Sequence, residues 1–159
     1  MHHSMRSGMP RARSGQPRGP LVLDTHVWIW VLEGKQKELS TATVDLIETA
    51  AGRAQLAVAA ISVWEVAMLE AKGRISLSRS IDEWVAEALT APGVRLAELS
   101  PEIALESTRL PGTPPKDPAD RMILATTRVL GGTLVTCDDE ILEYGEPGYV
   151  RVRNGWKRA

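Results

Sequence analysis

Leu21-Val22-Leu23-Asp24, LVLD, is a run of three large apolar residues that stops abruptly at an acid. Consecutive apolar side chains without alternation suit a strand buried on both faces, and such strands belong to parallel sheets covered by helices. Four further runs repeat the pattern: QLAVAA at 55–60, VRLAEL at 94–99, GTLVTCD at 132–138 and GYVRVR at 148–153. Between the runs lie segments with helical spacing, over 41–51 behind Ser40, and over 62–71, 81–90, 101–110 and 118–130. Ile81, Trp84, Val85, Ala88 and Leu89 fall at i, i+3, i+4, i+7 and i+8 and make one apolar face. Strands alternating with helices of about ten residues predict βαβ units. The expected fold is therefore α/β in three layers, a mostly parallel sheet of four or five strands flanked by helices.

Helix punctuation agrees with that plan. Ser100-Pro101 and Asp117-Pro118 each place an N-cap residue before a proline at the first helical position. The proline-rich loop LPGTPPKD, 110–117, delivers the chain to the second of these caps. Gly73, shortly after Ala71, is a helix stop.

The chain of 159 residues is short enough for one domain, and its 43% hydrophobic and 25% charged content excludes disorder throughout. Residues 1–20 differ from the rest: they are rich in Gly, Pro, Ser and Arg and read as a disordered basic arm preceding a domain over 21–159. That arm lacks the apolar stretch of a secretory signal, and no run reaches the length of a membrane span. One cysteine, Cys137, excludes an intramolecular disulfide framework and fits a cytoplasmic location. Net charge is −1, but the arm carries Arg6, Arg11, Arg13 and Arg18 with no acid. The remaining 15 basic residues face all 20 acids, a formal −5 for the domain. A simple phosphate-neutralising nucleic-acid binder has the opposite balance.

Four acids hold equivalent places in the alternating plan. Asp24 ends the first strand, Glu65 and Asp120 lie in the first turns of helices, and Asp138 follows the strand GTLVTC. In an open α/β sheet the carboxyl ends of strands and the starts of the following helices share one edge, where ligands bind. Clustered carboxylates raise one another's pKa values unless a cation offsets them. Oxygen ligands favour Mg²⁺ or Mn²⁺ over zinc, and hydrolysis of a phosphodiester is the chemistry such a site supports. Each acid also has a local explanation. Ser62-Val63-Trp64-Glu65 reads as a capping box, Asp117 and Asp120 fit a cap followed by a first-turn acid, and Asp24 and Asp138 fit Asx caps. Asp139 competes with Asp138 for the fourth place.

With these residues in view, the sequence resembles PIN-domain proteins, and among them the VapC-type ribonuclease toxins of toxin–antitoxin pairs. The resemblance is carried by LVLDTHVWIW at 21–30, AISVWEVAMLEAKGRI at 60–75, PKDPADRMILATT at 115–127 and GTLVTCDDEIL at 132–142, and it extends to about residue 153. It implies that Asp24, Glu65 and Asp120 are the core catalytic, metal-binding acids, with Asp138 or Asp139 as the fourth. It also implies an RNA substrate, a cognate antitoxin that inserts a segment into the cleft, and a homodimer.

Other residues are candidates for accessory roles. Thr25 either orients Asp24 and meets phosphate or serves as a cap; Arg121 either pairs with Asp120 or neutralises phosphate; Thr136 is a candidate for positioning water at the metal. His26 begins a helix, and Cys137 is expected to be packing. Trp28, Trp30, Trp64 and Trp84 lie in apolar-periodic segments, which suits core or interface anchors better than base-stacking platforms. The tail RVRNGWKRA sets Arg151, Arg153, Lys157 and Arg158 around Trp156, a candidate RNA-backbone contact or a charged edge strand. The seven apolar residues of helix 62–71 exceed one stripe and predict contact with another chain. Haloacid-dehalogenase-like chemistry is discounted because His26 stands where a second acid is needed, and no Gly-rich phosphate loop is present. A catalytically silent PIN-like module that binds RNA or protein is the alternative function.

Overall fold

The structure, a computed structural model, describes residue 17 and residues 19–157. Most of the arm read at 1–20 thus lies outside the described residues, as does Arg158. The chain joins the sheet before Leu21: the Pro20 carbonyl accepts from Thr133 N at 3.0 Å. Gly19, at φ +65, packs so closely that a Cβ there would stand 2.1 Å from the Gly131 carbonyl oxygen.

The elements run β1 (Leu21–Leu23), α1 (Thr25–Leu32), a 3-10 turn (Gln36–Glu38), α2 (Thr41–Gly52), β2 (Leu56–Ala59), α3 (Ala60–Ala71), α4 (Ile81–Thr90), β3 (Val94–Ala97), α5 (Pro101–Ser107), α6 (Pro118–Leu130), β4 (Thr133–Thr136), α7 (Asp139–Gly145) and β5 (Arg151–Asn154). All five strands form one sheet in the order β3-β2-β1-β4-β5, and every neighbouring pair is parallel. The chain moves from β1 outward to β3, then returns to the other side of β1 as β4. The order therefore reverses between β1 and β4, the position at which open α/β sheets leave a crevice outside their strand ends.

Two cores cover the sheet. Leu21, Leu23, Leu56, Val58 and Val135 pack on one face against Val27 and Trp28 of α1, Ile47 of α2, Val66 of α3 and Trp84 of α4. Val22, Ala57, Ala59 and Leu134 pack on the other against Ile103 of α5, Ile123 and Leu124 of α6, and Ile141 of α7. Alternation thus survives inside runs that read as continuously apolar, because both faces are covered. Trp28 and Trp84 meet edge to face with centroids 4.9 Å apart, as expected of core anchors.

Local signals set most boundaries. Ser40, Ser80 and Ser100 cap α2, α4 and α5 by accepting from Thr43 N, Glu83 N and Ile103 N, and Gly131 closes α6 in the left-handed region. Two helices were not singled out by periodicity, α1 and α7, which are only 8 and 7 residues long. The predicted capping box at Ser62 is absent. Helix α3 starts two residues earlier, at Ala60, running straight out of β2 with Ala59 as a cap that offers no side-chain acceptor. Ile123 is fully buried at the contact of α6 with the sheet. Ile123→Ala should cost about 2–5 kcal/mol through lost burial and the cavity left behind, read as a lower urea midpoint at unchanged m-value.

Candidate active site

Parallel strands aim their carboxyl ends at one edge, and there the chain turns three times into a helix through an aspartate. Asp24 caps α1 by accepting from Thr25 N at 2.9 Å. Asp117 caps α6, accepting from Ala119 N and Asp120 N at 2.7 and 3.1 Å. Asp138 caps α7, accepting from Glu140 N and Ile141 N at 2.8 and 3.1 Å. The local explanations for these three are thus correct, and they do not compete with a shared site. Asp24, Glu65, Asp117, Asp120 and Asp138 line one cleft of about 400 Å³. Asp139 does not line it. Cys137, His26, Trp30 and Trp156 complete its walls.

Buried hydroxyls fix the acids. Thr136 Oγ1 donates to Asp24 Oδ2 at 2.6 Å and accepts from Asp138 N at 3.0 Å, so one side chain ties the ends of β1 and β4 together. Thr25 Oγ1 lies 2.5 Å from Glu65 Oε1 and 2.9 Å from Ser62 Oγ. A hydroxyl has one proton, so toward an ionised Glu65 Thr25 donates and takes its second bond from Ser62. Ser62 is fully buried. Its spacing to Glu65 suggests a capping role; what reveals the actual one is its place one turn before Glu65 on the same helix face, together with the Thr25 hydroxyl that it meets.

Arg121 follows Asp120 on α6, and its Nε donates to the Pro115 carbonyl at 2.6 Å and fastens the 110–117 loop. Arg151 donates to the Gly131 carbonyl at the edge of the sheet opposite the cleft, which removes it from the proposed RNA-contacting tail. Trp64 is 55% exposed, so it is not a core anchor.

Among the described residues no lysine or arginine lines the acid cleft. Burial raises the Asp24 carboxyl above its ordinary range, against the hydrogen bonds from Thr136 and Thr25, and burial likewise raises Glu65. Asp120 is pushed up to about 8, first by burial and then by the charges of Asp117, Asp24, Asp138 and Glu65. An all-oxygen donor set with this concentration of like charge suits a hard divalent cation. Among the described residues no three acidic, histidine or cysteine side chains already stand as a metal cage. Mutual repulsion favours that spread, and an ion of the Mg²⁺ type fills its remaining positions with water and substrate oxygens.

The PIN-domain family model matches residues 21–147. Ribonuclease VapC22 of Mycobacterium tuberculosis is 37% identical over 132 residues, covering 83% of this chain and 97% of that one. The fold is also similar to VapBC2 from Rickettsia felis bound to a promoter DNA fragment, with a TM-score of 0.60 and 13% identity over 85% of this chain and 98% of that one. A toxin–antitoxin complex from Klebsiella pneumoniae matches with a TM-score of 0.57 and 19% identity over 87% of this chain and 99% of that one. The chain belongs to the PIN-domain family.

A carboxyl whose pKa is higher in the fold than in the unfolded chain holds its proton more tightly when folded. The fold consequently loses stability as pH rises from the ordinary carboxylate range toward about 8. Metal-free protein should melt at a higher temperature at pH 5 than at pH 8, and Asp120→Asn should flatten that slope. Parallel slopes for the two proteins in differential scanning calorimetry would remove Asp120 as its source.

Proposed function

We propose that this PIN-domain protein is a metal-dependent endoribonuclease and the toxin component of a cytoplasmic toxin–antitoxin pair. The observation that carries the reading is the gathering of Asp24, Glu65, Asp120 and Asp138 in one cleft that no described lysine or arginine lines. These four side chains would hold Mg²⁺ or Mn²⁺. Such an ion, when bound, supplies Lewis acidity that makes water a competent nucleophile near neutral pH and offsets charge on the reacting phosphate.

The chain's own residues set the geometry. Thr136 and the Thr25 amide hold both oxygens of Asp24 in a fixed orientation, and the Thr25 hydroxyl does the same for one oxygen of Glu65. Asp138 commits Oδ1 to its helix cap and keeps Oδ2 for the cleft. This arrangement favours Asp138 over Asp139 as the fourth acid. Val27 and Trp28 of α1 pack with Val66 of α3 in one buried cluster, which ties together the two helices that carry Asp24 at their start and Glu65.

Partner chains are part of the reading. Ile61, Trp64 and Met68 of α3 and Met122 of α6 line an apolar groove of about 300 Å³ that also includes Glu65 and Asp117. Its position beside the acids supports an antitoxin segment that covers the cleft, and a homodimer accounts for the remaining apolar surface of α3. No described helix is long and apolar enough to cross a membrane.

Asp120→Asn tests the chemistry. The amide keeps the side-chain shape but removes one charge from a site that must hold a dication, so Mg²⁺-dependent RNA cleavage should fall by orders of magnitude while the circular dichroism spectrum is retained. An acid serving only the dipole of α6 would instead contribute about 0.3–1 kcal/mol of stability and nothing to rate. A variant that cleaves like the wild type across a Mg²⁺ titration but melts earlier would refute the metal-site assignment.

A further inference from the structure

One wall of the acid cleft is aromatic. His26 and Trp30 stand one turn apart on α1, with ring centroids 6.3 Å apart, and Trp156 lies 5.5 Å beyond Trp30. All three rings line the cleft that holds the four acids. Trp156 arrives from the tail beyond β5, 126 positions along the chain from Trp30, and is held from behind. Its Nε1 donates to the Cys137 carbonyl at 2.8 Å and its backbone N to Asn154 Oδ1 at 2.9 Å, while a bridge joins it to Leu39. The indole N–H is thereby spent, yet the residue stays 40% exposed. What remains to face solvent is largely apolar ring, at a fixed position beside the acids.

We propose that His26, Trp30 and Trp156 form a stacking wall that seats an unpaired base of a single-stranded nucleic acid next to the acid cluster. The inference rests on the ribonuclease reading and names the part of the substrate that this wall contacts. Charge argues for a base rather than a phosphate as the wall's ligand. Among the described residues no lysine or arginine lines the cleft, Arg128 is paired with Glu106, and Arg151 is tied to Gly131 at the far edge. Phosphate neutralisation falls to cations outside the lining, such as Lys116 beside Asp117 and Asp120 and Lys157 next to Trp156, while the ring faces supply affinity that does not depend on charge. A base within a duplex is already stacked on both sides, so the wall selects single-stranded or looped segments.

Two labelled oligomers of equal length test the proposal by anisotropy, with Ca²⁺ replacing Mg²⁺: oligouridylate, and an abasic ribose-phosphate chain with the same charges. The wild type should prefer oligouridylate. Trp156→Ala should weaken oligouridylate binding about tenfold, toward the abasic level, and leave abasic binding unchanged. Trp156→Phe keeps a ring and should restore most of the difference. His26→Ala, at an exposed position, should lower the preference without lowering the melting temperature. In Mg²⁺ the same variants should raise KM for single-stranded RNA with little change in kcat. Equal binding of the two oligomers by the wild type, or no measurable binding of either, overturns the proposal. So does a folded Trp156→Ala that binds both oligomers as the wild type does, an outcome that would assign the wall to a protein partner instead. Wild-type cleavage of RNA with an indifferent Trp156→Ala would sink the wall alone, whereas base preference without any cleavage would sink the ribonuclease reading alone.

Discussion

The parallel pairing of β1 with β4 is the constraint on which the site depends. Leu23 stands beside Val135, Asp24 N continues the ladder to the Val135 carbonyl, and Thr136 then reaches back to Asp24 and forward to Asp138 N. Two acids separated by 114 positions are thus fixed through one fully buried hydroxyl. Because β1 is flanked by β2 on its other side, the same register also sets where α3 leaves the sheet, and hence where Glu65 points. A slip of one residue in either pairing would turn every side chain of the strand to the other face and dismantle both cores together.

Electrostatics at this edge balance two opposed effects. Three helices, α1, α6 and α7, begin here with aspartate caps, and their unpaired amides and dipoles favour negative charge. Burial and mutual repulsion oppose it more strongly, since Asp24, Glu65 and Asp120 are all raised. Concentrated charge of this kind is common at sites where function requires it. The thiol of Cys137 feels the same field. It is pushed up to about 11, by burial first and then by Asp24, and stays an unreactive part of the wall.

The tail after β5 gives the cleft its second character. Gly155 packs tightly, since a Cβ would stand 3.2 Å from Val135 and 3.3 Å from the Cys137 sulfur, and its amide bonds to the Thr136 carbonyl. That close approach turns Trp156 inward over Trp30 while Lys157 N bonds to the Glu38 carbonyl. The acidic floor and the aromatic wall are consequently built on the same strand end, β4, from residues that no local pattern connects.

The sequence by itself determined the elements whose causes are local. Runs such as LVLD and GTLVTC, the caps Ser40, Ser100 and Asp117, and the stop at Gly73 act over a few residues, so pattern and turn chemistry reveal them. The acids were legible for the same reason: a strand end and a helix start are local places, and the alternating plan puts them on one edge. Tertiary structure alone decided the rest. Ser62 looked like a cap because its spacing to Glu65 satisfies one, and only the unbroken passage from β2 into α3 frees its hydroxyl for Thr25, 37 positions away. Trp64 shares the periodicity of core residues but lies on the outer face of α3, and Arg151 belongs to a basic tail but starts its strand at the edge away from the acids. Thr136 meets Asp24 across 112 positions. Contacts of that range are set by strand order and packing, which the identity of a residue and its near neighbours does not encode.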